Sequence, residues 1–126
     1  ALRLSVNTFE SAVLINNESF FDFKPLPNYA QFSSTNDIII QDFNNDNIND
    51  IVLVGNMYHA EIETTRNDSG NGLLLQGIGN GDFKEISVSE SGFFAPGDSK
   101  KIISLKSKND NLLIIANNDD RLQIFK

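Results

Sequence analysis

The apolar residues of this chain stand in short runs broken by Asn, Asp, Gly and Ser, which limits the fold to elements of a few residues each. The runs are Ala12–Ile15, Ile38–Ile40, Ile51–Val54, Leu73–Leu75, Ile102–Ile103, Leu112–Ala116 and Leu122–Phe125. Rich in Ile, Val, Leu and Phe and bounded by turn formers, they read as strands. No stretch of 11 or more residues spaces its apolar positions for a helix, so an all-β fold with little or no helix is expected. Phe supplies 10 aromatics against two Tyr and no Trp, several in strand-like groups: Phe20, Phe21 and Phe23, then Phe93 and Phe94.

The connections carry turn chemistry. Gly77–Gly81, Asn16–Ser19, Lys108–Asn111 and Asn117–Asp120 should each reverse the chain, making successive strands antiparallel neighbours. At 126 residues and 14.0 kDa the chain has room for one domain with a modest core. The absence of Cys removes disulfides and thiol chemistry, and a lone His59 leaves little basis for a hydrolase triad or zinc site. A net charge of −7 argues against nucleic acid as a partner, and no apolar run reaches the roughly 20 residues of a membrane span, so membrane insertion is not expected.

Sliding the chain by 60 residues lays Ser11–Lys24 on Asn71–Lys84 without a gap, Asp22-Phe23-Lys24 meeting Asp82-Phe83-Lys84. A slide of 64 brings Ile38-Ile39 onto Ile102-Ile103, and one of 61 brings Ile51–Asn56 onto Leu112–Asn117. A unit of about 60 residues with four strands follows. The expected division is the end of one unit at 1–27, a complete unit at 28–88 and three strands of the next at 89–126. Antiparallel four-stranded repeats suggest about two blades of a β-propeller; a single β-sandwich is the alternative.

The segment Asp42-Phe43-Asn44-Asn45-Asp46-Asn47-Ile48-Asn49-Asp50 carries the chemistry. A hard cation such as calcium takes six to eight oxygens, and a loop wrapped around it turns alternate side chains inward. Asp42, Asp46 and Asp50 offer carboxylates, Asn44 an amide oxygen and Ile48 its carbonyl. Asn47 stands where such loops turn sharply, and Asn tolerates the positive φ required there. The bland alternative is an Asn/Asp-rich hairpin loop without metal. This is no EF-hand, since strands flank the loop and Leu53 occupies its twelfth position. The corresponding second-copy loop, Lys106–Asn111, has one carboxylate and two lysines and should bind no divalent ion.

This Asp-x-Asn-x-Asp-x-x-x-Asp string, followed by Gly77-x-Gly79-Asn80-Gly81-Asp82-Phe83, resembles the FG-GAP or VCBS repeats of β-propellers; integrin α-subunit propellers carry related loops. The stretch Glu63–Leu75, with Ser91–Phe94 and Gly97-Asp98, is similar to the C-terminal part of bacterial VCBS-repeat proteins. From about residue 7 on, the chain reads as such a segment. The resemblance implies calcium in the hairpin loop, held by Asp42, Asn44, Asp46, Ile48 and Asp50, with Asn47 departing from the usual Gly.

Glu63, Arg66 and Asp68 lie in a long connection, where they read as a clamp holding the loop or as a surface for a ligand carboxylate or sugar. Gly77–Gly81 and Asn117–Asp120 read as turns, and His59 as a loop residue. The functional expectation is a non-catalytic calcium-binding repeat module, structural or interacting, in an extracytoplasmic protein, with calcium ahead of magnesium. Its expected partners are the rest of its own propeller, a protein or carbohydrate ligand, and further copies through exposed strand edges. The alternative is part of a carbohydrate-active propeller enzyme using Glu63 or Asp68.

Overall fold

A computed structural model describes residues 2–106 and 110–126. Among the described residues, nine strands form three antiparallel sheets, none closed on itself. Strands β1 (Ala12–Asn16) and β2 (Phe21–Pro25) make the first sheet. The second is a meander of β3 (Thr35–Gln41), β4 (Asp50–Gly55), β5 (Leu73–Gly79) and β6 (Asp82–Ile86). The third holds β7 (Ser99–Lys106), β8 (Asn111–Asn117) and β9 (Gln123–Phe125). Helical structure among the described residues is one 3-10 turn, Asn28–Gln31, and one short helix, α1 (Val88–Ser91). The all-β antiparallel expectation therefore holds. Phe20, Phe93 and Phe94 differ from it: Phe20 precedes β2, Phe93 and Phe94 follow α1 outside any strand, and Phe93 turns its ring into the core.

The sheets stack face to face, with the four-stranded sheet in the middle. Residues paired across a ladder share a face and successive residues alternate, so one strand can feed two cores. In β4, Val52 and Val54 join Ile102, Ile115, Phe93 and Ala95 on the side of the third sheet. Ile51 and Leu53 join Leu75, Leu26 and Ala30 on the side of the first, with Val13 of β1 packed against them. Every residue of β4 is buried, as its unbroken apolar run requires. The first sheet covers its neighbour incompletely. A groove of about 330 Å³ is lined by Val13, Leu26, Ile38, Ile40, Ile51 and Leu53, and it leaves Ile38 and Ile40 exposed.

β3 and β7 lie against each other, and each begins with an irregularity in its ladder. Thr35 pairs with Gly55 before the shift in one hairpin, and Ser99 with Asn117 in the other. The Asn56 N–H then donates to Ser34 O at 3.0 Å and the Asn118 N–H to Asp98 O at 2.9 Å. This correspondence sets β7 64 residues after β3 but β8 62 after β4, rather than the 61 obtained by sliding the sequence. Apolar identity alone cannot detect a one-residue slip between two apolar runs; the pairing register does.

Candidate functional site

The β3–β4 connection folds around its own side chains. Asp42 Oδ1 accepts the Asp46 N–H at 3.2 Å and Asn44 Oδ1 accepts the same N–H at 2.9 Å. Asp42 Oδ2 takes the Asn47 N–H at 2.9 Å, and Asp46 Oδ1 the Ile48 N–H at 2.8 Å. Asn44 Nδ2 donates to Asp46 Oδ2 at 2.8 Å. These local side-chain bonds replace ladder bonds and hold the loop compact. Asn47 has the positive φ its position calls for, 68°, and Asn45 shares it at 61°, which the spacing did not signal. The amide of Ile48, with help from Asn44, holds the Asp46 carboxyl below its ordinary pKa.

Asp50 behaves differently. At 2 % exposure, it turns into the sheet. Its Oδ2 accepts the Phe43 N–H at 3.0 Å and its Oδ1 the Gly77 N–H at 2.9 Å. Thus Asp42, Asn44 and Asp46 meet in one turn, while Asp50 fastens the end of that turn to β5. Among the described residues, no three His, Cys, Asp or Glu side chains form a group able to hold a metal ion. The donor chemistry suits a hard cation: side-chain oxygens of Asp42, Asn44, Asp46 and Asp50 with the Ile48 carbonyl. Each carboxylate has about four lone-pair sites, and the bonds just described leave some open on each. In the second-copy loop, Ser107, Lys108 and Asn109 lie outside the described residues.

In the long connection, Arg66 Nε donates to Asp68 Oδ2 at 2.6 Å, and its guanidinium lies 4.8 Å from the centroid of the Tyr58 ring. Met57 and Asn67 bridge at the base of this loop. Arg66 and Asp68 therefore come together, while Glu63 stands exposed in the neighbouring turn, outside that pair. His59 is exposed, with Nδ1 3.2 Å from Asn118 Nδ2 and 3.6 Å from Asp98 Oδ2. A cavity of about 180 Å³ lined by Tyr29, Phe32, Gly72, Val88 and Phe93 lies elsewhere; none of residues 42–50 lines it.

A buried polar seam escaped the sequence reading. Asn56 is fully buried at φ 93°. Its Oδ1 accepts from Ser33 Oγ at 2.6 Å and Gly70 N at 2.9 Å, and its Nδ2 faces the carbonyls of Gly70, Pro96 and Gly97 at 2.8–3.0 Å. Asn36 Nδ2 bridges the carbonyls of Asn56 and Ser99, both at 2.8 Å. Asp37 Oδ2 accepts the Ile102 N–H at 2.8 Å, and Gln41 Oε1 accepts from Ser104 Oγ at 3.0 Å. β3 and β7 are thus joined by side chains instead of a backbone ladder. The available signal was an Asn just past the buried Val54-Gly55 end of β4, where a positive φ suits it.

Comparison of the chain with protein-family models, with curated proteins and with solved structures finds no match.

Proposed function

We propose that this chain is a non-catalytic calcium-binding module of a β-propeller, with β3–β6 as one blade, β1–β2 as the outer half of the blade before it and β7–β9 as three strands of the blade after. The four-stranded meander, the face-to-face stacking and the approach of β3 to β7 support the blade reading. The observation that carries the calcium reading is the gathering of Asp42, Asn44 and Asp46 on the amides of residues 46–48. Asp50 and the Ile48 carbonyl would complete the donor set. The ion's role is structural: it offsets the repulsion of three carboxylates and fixes the β3–β4 connection.

A moderate-affinity oxygen loop fits surroundings rich in calcium, with Kd of about 10⁻⁴–10⁻³ M, so an extracytoplasmic setting goes with this reading. The module's role is then structural or interactive within a larger assembly, with a protein or carbohydrate ligand as the class of partner. Calorimetric titration of calcium, and separately of magnesium, into chelator-treated protein tests it. Binding heat with calcium that Asp46→Ala abolishes is the expected result. No heat, together with an unchanged melting temperature in calcium, would remove the metal from the proposal.

A further inference from the structure

We infer that the cavity between the 3-10 turn and the open end of the β4–β5 ladder binds one neutral sugar ring, a hexopyranose, stacked on Tyr29 and Phe32. The inference deepens the proposed function. It rests on that reading for the carbohydrate class of the partner, and not on the cation loop.

The walls of the cavity are supplied by the middle sheet and the turns around it, all between residues 29 and 93. It sits at the end of the β3–β4 hairpin where Thr35 pairs with Gly55, whereas the cation loop lies beyond the Gln41–Asp50 pair at the other end. The β4–β5 ladder ends at Leu53 and Leu73. Next to that end a space of about 180 Å³ is lined by Val54, Gly55 and residues 69–74. A cavity of about 150 Å³ holds a benzene ring, so this one has room for a single six-membered ring.

Two aromatic rings stand at its mouth. Tyr29 and Phe32 line the cavity and are 60 % and 54 % exposed; their centroids are 5.1 Å apart and their planes tilted by 47°. Neither ring enters the two cores. The turn that carries them is fixed. Ala30 is buried, and Gln31 Nε2 donates to the carbonyls of Ser11 and Leu26 at 2.9 and 3.0 Å. Gln31 Oε1 accepts the Ser11 N–H at 2.7 Å. The rings are therefore held out as a platform.

The rest of the lining selects the ligand. The hydroxyls of Ser34, Thr35 and Ser69, the Asn71 amide and the Glu85 carboxylate belong to it, and among the described residues no Lys, Arg or His does. A carboxylate in the wall of a chain of net charge −7 opposes phosphates and acidic sugars. A quaternary ammonium ion would use the rings and Glu85 but leave the hydroxyls idle. A neutral pyranose uses all of them. Its C–H face suits the electron-rich face of an aromatic ring, and its hydroxyls exchange hydrogen bonds with Ser, Thr and Asn side chains. A carboxylate has two oxygens to accept from neighbouring hydroxyls. Ser34 Oγ is buried in the wall with no hydrogen-bond partner among the described residues, a state that few buried polar groups show. A ligand hydroxyl is the partner assigned to it here.

The opposite wall is formed in advance. Asn56 accepts the Gly70 N–H at 2.9 Å and donates to the Gly70 carbonyl at 2.8 Å. The Asn71 carbonyl accepts the Ala95 N–H at 2.7 Å. Gly72 stands at φ 72°, where a Cβ would run into the Phe93 ring. Little ordering is left for a ligand to impose, which favours binding.

Amide chemical-shift titration of the chain in chelator tests the inference, with glucose, galactose, mannose and N-acetylglucosamine added separately. Concentrations from about 1 to about 100 mM span the Kd of about 1–10 mM expected of so small a ligand. At least one sugar should move the amides of residues 29–35 and 69–74 saturably. Phe32→Ala and Glu85→Gln should each weaken that binding by about tenfold. Phe32 is exposed and Glu85 half-buried, and circular dichroism checks that both variants fold. No saturable shift with any of the four sugars, unchanged affinity in both variants, or choline binding at these residues where the sugars do not would each overturn the inference. Sugar binding without calcium heat would retire the cation loop alone; calcium heat without sugar binding would retire the cavity alone.

Discussion

The buried carboxylate of Asp50 accepts the amide of Gly77 across the β4–β5 ladder at 2.9 Å, while its other oxygen accepts the amide of Phe43. The last acidic residue of the loop is therefore also a strut of the sheet. A Cβ on Gly77 would run into the Asn49 carbonyl, so glycine is what allows this approach. Asp50→Ala leaves two amides unpaired and should cost about 2–5 kcal/mol, with or without divalent ion. Asp46→Ala, in an exposed loop, should change stability in chelator by less than about 0.5 kcal/mol. Urea denaturation in chelator measures both, and equal losses would contradict the division between strut and loop.

Calcium should separate the two residues the other way. With Kd of about 10⁻⁴–10⁻³ M, about 10 mM calcium stabilises the folded state by about 1.4–2.7 kcal/mol. Asp46→Ala should lose that increment entirely while keeping its stability in chelator. Melting curves with and without calcium read it directly; an equal rise in wild type and variant would mean that the ion acts elsewhere.

How much of this was legible follows from the range over which each signal acts. Short apolar runs such as Ile51–Val54 specify strands locally, and the turn residues between them specify antiparallel neighbours, so the all-β class could be read directly. The positive φ of Asn47 was legible for the same local reason. Asp50 was legible as a carboxylate at the right spacing but not as a strut, because its partner Gly77 lies 27 residues away. The Asp37–Ile102 bond spans 65 residues and leaves no periodic trace. Arg66 and Asp68 pair because they stand two apart in one loop, whereas nothing in spacing told Glu63 from them.

Acid should weaken both the β3–β7 seam at Asp37 and the anchorage of Asp98 just before β7. Burial pushes the Asp37 carboxyl up, but the Ile102 amide, the Lys101 ammonium and the Ile38 amide together hold it below the usual value. Asp98 follows the same pattern: burial raises it, and Lys100, Asn118 and the Tyr58 amide outweigh that. A depressed folded pKa contributes stability above the unfolded value of about 3.9, and that contribution is lost as pH falls through the folded pKa. Stability should therefore be level above about pH 5 and fall steadily below about pH 4. Asp98→Asn should show a shallower fall between pH 6 and pH 3 in urea midpoints. Parallel acid limbs for wild type and Asp98→Asn would count against the assignment.

Asn56 should prove the most sensitive polar position, and three substitutions separate its roles. Its amide group joins Ser33, Gly70, Pro96 and Gly97, and its backbone holds φ at 93°. Asn56→Gly keeps the backbone conformation and loses the side-chain bonds, at about 2–3 kcal/mol. Asn56→Ala loses the same bonds and adds a left-handed strain of about 1–2 kcal/mol. Asn56→Asp is worst, because the two donors become an acceptor facing carbonyl oxygens in a fully buried site, at about 3–5 kcal/mol or more. Denaturant unfolding should rank them Gly, Ala, Asp in order of increasing loss. If alanine proved no worse than glycine, the conformational part of the argument would fail while the hydrogen-bonding part stood.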